Sequence, residues 1–121
     1  MIAIQAKLLL KYEGLTLNTL VLDKTKLTIG RANDNDVILD DAAVSSHHAR
    51  VVKSESEYFE GHHDYDLEDL NSTNGTKVND QAITRHRLQH GDLIRVGVHE
   101  FLFDSGEPQK HETTAIYIPD D

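Results

Sequence analysis

The residues of this chain best equipped for chemistry are Arg31, Ser45, His48 and Asn74. Ser45-x-x-His48 sets a hydroxyl three residues before an imidazole, which invites a nucleophile and base reading. An acyl-transfer site also needs an orienting carboxylate and an oxyanion hole at the point of attack. So close in one loop, His48 more readily braces the backbone by hydrogen bonds, and we read no catalytic residue here. Arg31 carries a planar, permanently charged fork suited to phosphate, and Gly30 before it lets the backbone turn toward a ligand. Ser45 can donate its hydroxyl to a phosphate oxygen, with nearby backbone N–H groups completing an anion nest. Asn74 offers donor and acceptor together, as an extended peptide backbone requires, although Asn74-Gly75 is equally a hairpin-turn signal.

Metal chemistry is less well provided for. There are eight histidines, but adjacent residues such as His62 and His63 point to opposite faces of a strand, and no third ligand has convincing spacing. A solvated loop suits them better. Asn33-Asp34-Asn35-Asp36 with Asp40-Asp41 suggests calcium, yet the glycine and terminal glutamate of an EF-hand loop do not align. No metal and no cofactor is expected.

The elements that must position these residues read as short strands. Candidates are residues 3–12, 15–22, 26–29, 37–39, 49–53, 58–60, 65–70, 76–78, 83–88, 93–96 and 99–103, separated by Gly, Asn and Asp signals. No window sustains an apolar repeat at helical spacing, so the pattern predicts an all-β sandwich or barrel. The expected core is Leu17, Ile29, Val37, Leu39, Val51, Leu67, Leu70, Val78, Leu88, Leu93, Ile94, Val96, Phe101 and Phe103. Three loops, around Arg31, Ser45 and residues 71–76, then fall between strands and could close on one polar site. Asn79-Asp80 reads as a plain turn.

Composition narrows the partners. The 121 residues suffice for one domain with a core. Lys and Arg number 12 against 21 Asp and Glu, a formal charge of −9, which disfavours nucleic acid. An anionic ligand would have to be held by local charge and geometry, because the overall field is screened within about 8 Å at physiological salt. With no cysteine, disulfides and thiolate zinc sites are unavailable. Leu8-Leu9-Leu10 ends at Lys11, too soon for a signal peptide or a membrane span, so a soluble cytoplasmic protein is expected.

Taken in order, Gly30-Arg31, Asp36-Val37-Ile38-Leu39, Ser45-x-x-His48-Ala49, Asn74-Gly75-Thr76-x-x-Asn79 and Gly91-Asp92-x-Ile94-x-Val96-Gly97 resemble the forkhead-associated (FHA) domain. The resemblance covers roughly residues 15 to 103. It implies a β-sandwich of two mainly antiparallel sheets with ligand-binding loops at one end, and a module binding phosphothreonine peptides after a serine/threonine kinase has acted. By that resemblance Arg31, Ser45, Ser46 and Thr73 contact phosphate, Asn74 bonds the peptide main chain, and Gly30, His48 and Gly75 support the site. Ser46 is often basic or amide-bearing in relatives, so its hydroxyl implies a less positive cradle. Ala43 offers no charge at a position that in some relatives reads an acidic residue third after the phosphothreonine, so the resemblance implies an aliphatic preference there. The alternatives are a calcium- or carbohydrate-binding β-sandwich, or a phospho-independent interaction scaffold.

We expect the sandwich over residues 1–103, and a linker and tail over 104–121 in which 113–118 is β-prone enough for an accessory strand. If phosphorylated, Thr113 or Thr114 would make the tail a ligand for such a site, in cis or between protomers.

Overall fold

Alternation of apolar and polar residues, period two, builds eleven strands in the computed structural model, which describes residues 5–58 and 60–107. They are β1 (Lys7–Tyr12), β2 (Leu15–Val21), β3 (Lys26–Gly30), β4 (Val37–Ile38), β5 (Ala49–Glu55), β6 (His63–Asp69), β7 (Thr76–Val78), β8 (Gln81–Ile83), β9 (Arg85–Arg87), β10 (Leu93–Val96) and β11 (His99–Asp104). One sheet runs β2-β1-β11-β10-β7-β8 and the other β4-β3-β5-β6-β9. All pairings are antiparallel except the short parallel β3–β4 contact. No helix occurs among the described residues. The fold is the expected all-β sandwich.

Inward-facing residues of both sheets form the core: Leu8, Ile94, Val96, Phe101 and Phe103 from the first, and Leu27, Ile29, Ala49, Val51 and Leu67 from the second. Tyr65 meets Phe103 across the gap at a ring-centroid distance of 5.6 Å. Of the expected core, Leu17 is wrong, being 60% exposed. The register between β1 and β2 shifts after Leu10, which faces Asn18, whereas Lys11 faces Thr16. Leu17 is the extra residue of that bulge, on the edge strand of the first sheet. Leu70 and Leu93 are only half-buried. Val44, in the loop just before Ser45, is 1% exposed and pins that loop to the core.

Three strand assignments also change. No strand is found at 58–60 among the described residues; β5 runs on to Glu55, Ser56 N–H donates to the His62 carbonyl, and Tyr58 lies exposed in the connection. His63, read as loop, opens β6. The single strand expected over 83–88 is two, β8 and β9, in different sheets.

The ends of the strands settle where the loops lie. The ends of β3 and β6 and the start of β5 meet at one end of the sandwich, as Ile29 faces Ala49 and Ala49 faces Asp69. In the other sheet Val96 faces both Thr76 and His99 at that same end. Residues 104–107 leave from the opposite end, where Lys7 faces Asp104. The start of the expected linker is fastened there: Ser105 N–H donates to His90 Nδ1 at 3.1 Å and Glu107 approaches His62 at 3.2 Å. The remainder of the tail, with Thr113 and Thr114, lies outside the described residues.

Candidate functional site

Gly30 brings the first two loops together. A side chain there would put its Cβ 2.3 Å from the Ser46 carbonyl oxygen, so only glycine lets the chain pass. Beyond it Arg31 N–H donates to the Ser45 carbonyl at 3.0 Å and Ala32 N–H to that of Ser46 at 3.1 Å. Asn35, 7% exposed, donates its amide to the Ala32 and Ser46 carbonyls. These bonds hold Arg31 outward. Its guanidinium is exposed and has no partner among the described residues.

His48 joins the second loop to the third. It is fully buried, its Nδ1 accepts the Ser45 N–H at 3.0 Å, and its Nε2 lies 2.9 Å from the Gly75 carbonyl. Since a carbonyl can only accept, Nε2 carries the proton and Nδ1 is the acceptor. Both nitrogens are thus committed to the backbone, and neither faces the Ser45 hydroxyl. Ser45 Oγ instead accepts the Thr73 N–H at 3.0 Å, which leaves its own proton free to donate outward.

The third loop is built on Asp69. Its carboxylate accepts the Ser72 N–H and hydroxyl and the Thr76 hydroxyl, while Gly75 N–H donates to Ser72 Oγ. Burial pushes the Asp69 carboxyl up, but the bonds from Ser72 and Thr76 outweigh it and hold the group below the usual carboxylate range. Asn74 Nδ2 then reaches the Ala43 carbonyl at 2.8 Å. Asn74-Gly75 is not a hairpin turn, because β6 and β7 on either side of it belong to different sheets.

Arg31, Ser45, Ser46, Thr73 and Asn74 therefore stand on three loops stitched to one another at one end of the sandwich. Arg31, Ser46, Thr73 and Asn74 are exposed and Ser45 is half-buried; His48, Gly30 and Gly75 lie behind them. The acidic stretch 33–36 does not converge as a cation site would. Asp34 faces His47, Asp36 is bonded by Lys24 and Thr28, and no group of three metal-ligating side chains exists among the described residues.

Sequence reasoning missed two contributors. Asn79 does more than turn the chain between β7 and β8: its Nδ2 donates to Asp92 and its Oδ1 accepts the Leu93 N–H. A groove of about 240 Å³ beside Asn74 is lined by Ala43, Gly75, Lys77, Arg95, Gly97 and Val98 as well. Lys77 and Arg95 alternate with buried residues on β7 and β10, and nothing in their local sequence separates them from an ordinary solvated face.

The match to known proteins follows the same residues. The family model for the FHA domain matches residues 27–97. The chain belongs to the FHA domain family. It is 42% identical over 76 residues to the transcriptional regulatory protein EmbR of Mycobacterium tuberculosis, covering 62% of this chain and 18% of that protein. It is 34% identical over 86 residues to the oxoglutarate dehydrogenase inhibitor of Corynebacterium glutamicum, covering 71% of this chain and 55% of the inhibitor. The chain thus spans a fifth to about half of these FHA-containing relatives. The solved structure of Mycobacterium tuberculosis EmbR in complex with a low-affinity phosphopeptide superposes with a TM-score of 0.71 at 34% identity, covering 87% of this chain and 25% of that one. FHA domains are interaction modules.

Proposed function

We propose that this FHA domain binds phosphothreonine-containing segments of proteins and recruits them after a serine/threonine kinase has acted. The observation that carries this reading is the exposed, unpartnered side chain of Arg31, whose backbone N–H is bonded to the Ser45 carbonyl, together with a Ser45 hydroxyl proton left free because its oxygen already accepts the Thr73 N–H. Arg31, Ser45, Ser46 and Thr73 take the phosphate, and Asn74 takes the peptide main chain through the carbonyl oxygen left over from its bond to Ala43. His48, Gly30 and Gly75 hold the loops. The module carries out no catalytic step, since His48 has no nitrogen to offer as a base. It works where kinases and their substrates meet, in the cytoplasm, and with a charge of −9 it does not engage nucleic acid. Among the described residues there is no helix long and apolar enough to cross a membrane.

Three charge-assisted hydrogen bonds of about 1.5–3 kcal/mol each, less ordering costs, set a dissociation constant in the micromolar range. Burying the extra methyl of threonine adds about 0.8 kcal/mol, roughly a fourfold preference over phosphoserine. Titration calorimetry with matched phosphothreonine, phosphoserine and unmodified peptides tests this on wild type and Arg31→Ala. Phosphothreonine binding lost in Arg31→Ala supports the reading. Phospho-independent binding, or none across a diverse library, overturns it in favour of an interaction scaffold.

The chain's own tail is a ligand of the same chemistry if Thr113 or Thr114 is phosphorylated. Geometry favours binding between protomers. Glu107 leaves at the far end of β11, whose six residues alone extend about 17 Å toward the site. The six links from Glu107 to Thr113 reach at most about 21 Å, with no slack to round the end of the sandwich. Sedimentation of the kinase-treated protein should show a dimer that Arg31→Ala abolishes; a phosphorylated monomer at all concentrations would exclude it.

A further inference from the structure

The outer faces of the two sheets differ. On the second, the cross-strand row Thr28, Arg50, Glu68, Arg85 is polar throughout. On the first, Leu9 stands opposite Leu102 and Leu102 opposite Leu93. Their strand neighbours Leu8, Phe101, Phe103 and Ile94 fill the core, so by the period of two the three leucines point away from it. Val21, 41% exposed, stands opposite Lys7 on the same face, diagonal to Leu9. Ion pairs bound this stripe on both sides, Lys7 with Asp104 at 3.8 Å and Arg95 with Glu100 at 3.5 Å. Among the described residues every strand belongs to one of the two sheets and there is no helix, so no third layer covers the leucines. A solvated antiparallel face is ordinarily polar, and an apolar patch with a polar rim marks a docking surface.

The chain holds a segment suited to that cover. Residues 108–121 lie outside the described residues, and their sequence contains Ala115-Ile116-Tyr117-Ile118, the apolar run after Phe103. In an extended segment Ile116 and Ile118 share a face. The tail also departs beside the stripe. Asp104 follows Leu102 by two residues, about 7 Å along β11. Gly106 then packs on the segment leading into β1, where a Cβ would lie 2.3 Å from the Gln5 carbonyl oxygen. Nine links from Glu107 to Ile116 span up to about 32 Å. Turning back over a sandwich about 10 Å thick and on to Leu102 takes roughly half of that. The reach that fails Thr113 at the distant loops is ample for Ile116 on the near face.

We propose that residues 115–118 dock on the outer face of their own first sheet, with Ile116 and Ile118 over Leu9, Leu102 and Leu93. This face is not the looped end, so the contact stands whether or not the phosphothreonine reading does. Thr114 is in phase with Ile116 and Ile118, and a phosphate there opposes docking by bringing charge into an apolar contact beside Asp104. Phosphorylation then releases the tail.

The test is NMR of the full chain with isoleucine and leucine methyls labelled. NOEs should join Ile116 or Ile118 to Leu9, Leu93 or Leu102, persist on dilution, and be absent between differently labelled copies in a mixed sample. In the Ile116→Asp, Ile118→Asp double variant the methyls of the three leucines should shift, whereas those of Ile29 and Leu67 in the core should not. Both substitutions lie in the tail and leave the sandwich intact. Absence of these NOEs with unchanged leucine shifts in the variant overturns the proposal. NOEs found between copies and lost on dilution assign the stripe to a second molecule, and overturn it equally.

Discussion

At the scale of single residues, the three loops are held together by groups buried behind their exposed face. Gly30 gives room for the Ser46 carbonyl, and His48 fixes Ser45 to Gly75 through its two nitrogens. Gly30→Ala drives a methyl against backbone, not against a side chain that could swing away. We expect a stability loss of about 1–3 kcal/mol, seen as a lowered melting temperature, together with weakened phosphopeptide binding because Arg31 and Ala32 lose their carbonyl partners. A variant with wild-type melting and affinity would show that the crossing is looser than described. That Arg31, Ser45 and Asn74 stand in neighbouring loops was legible in the sequence, because Gly, Asn and Asp signals mark the breaks between strands around them. That Lys77 and Arg95 line a groove beside Asn74 was not, since a cation in an alternating strand looks the same whether it faces open solvent or a groove.

At the scale of elements, period-two alternation located most strands and failed where a local irregularity intervenes. The bulge after Leu10 changes the face that later residues of the β1–β2 hairpin present, and alternation alone cannot reveal it. Thr84, between β8 and β9, carries the chain from one sheet to the other within what reads as a continuous run. Phe101 and Leu17 make the contrast measurable. Phe101→Ala, at a fully buried position, should cost about 3–5 kcal/mol in urea denaturation, whereas Leu17→Ser should stay within about 0.5 kcal/mol of wild type. Comparable losses from both would mean that Leu17 is covered after all. Loop closure was less legible than loop position: that Asp69 would gather Ser72, Thr76 and Gly75 needs the β6–β7 crossover in view.

For the whole molecule, acid should be the main threat to stability. Asp66, Asp69 and Asp92 are all held below the usual carboxylate range, as burial raises each but is outweighed by bonds from Arg87 and Arg85, from Ser72 and Thr76, and from Gln89 N–H and His86. A carboxyl whose folded value is lowered gives stability that is complete above its unfolded value of about 4 and is lost as pH falls through the folded value. Urea midpoints should therefore hold from pH 7 to about pH 5 and drop steeply below about pH 4; a midpoint that rises on acidification would contradict the assignment. Among the described residues no strand pairs with the outer edge of β2, which bears on a different hazard. β2 (Leu-Thr-Leu-Asn-Thr-Leu-Val) has seven residues and no charge, and it lacks the lysines, prolines or short length that commonly blunt an outer strand. Mutual repulsion at a charge of −9 does that work instead. Near the isoelectric point of about 5.2 repulsion vanishes while the domain is still folded, so concentrated solutions should cloud there through native copies joining edge to edge.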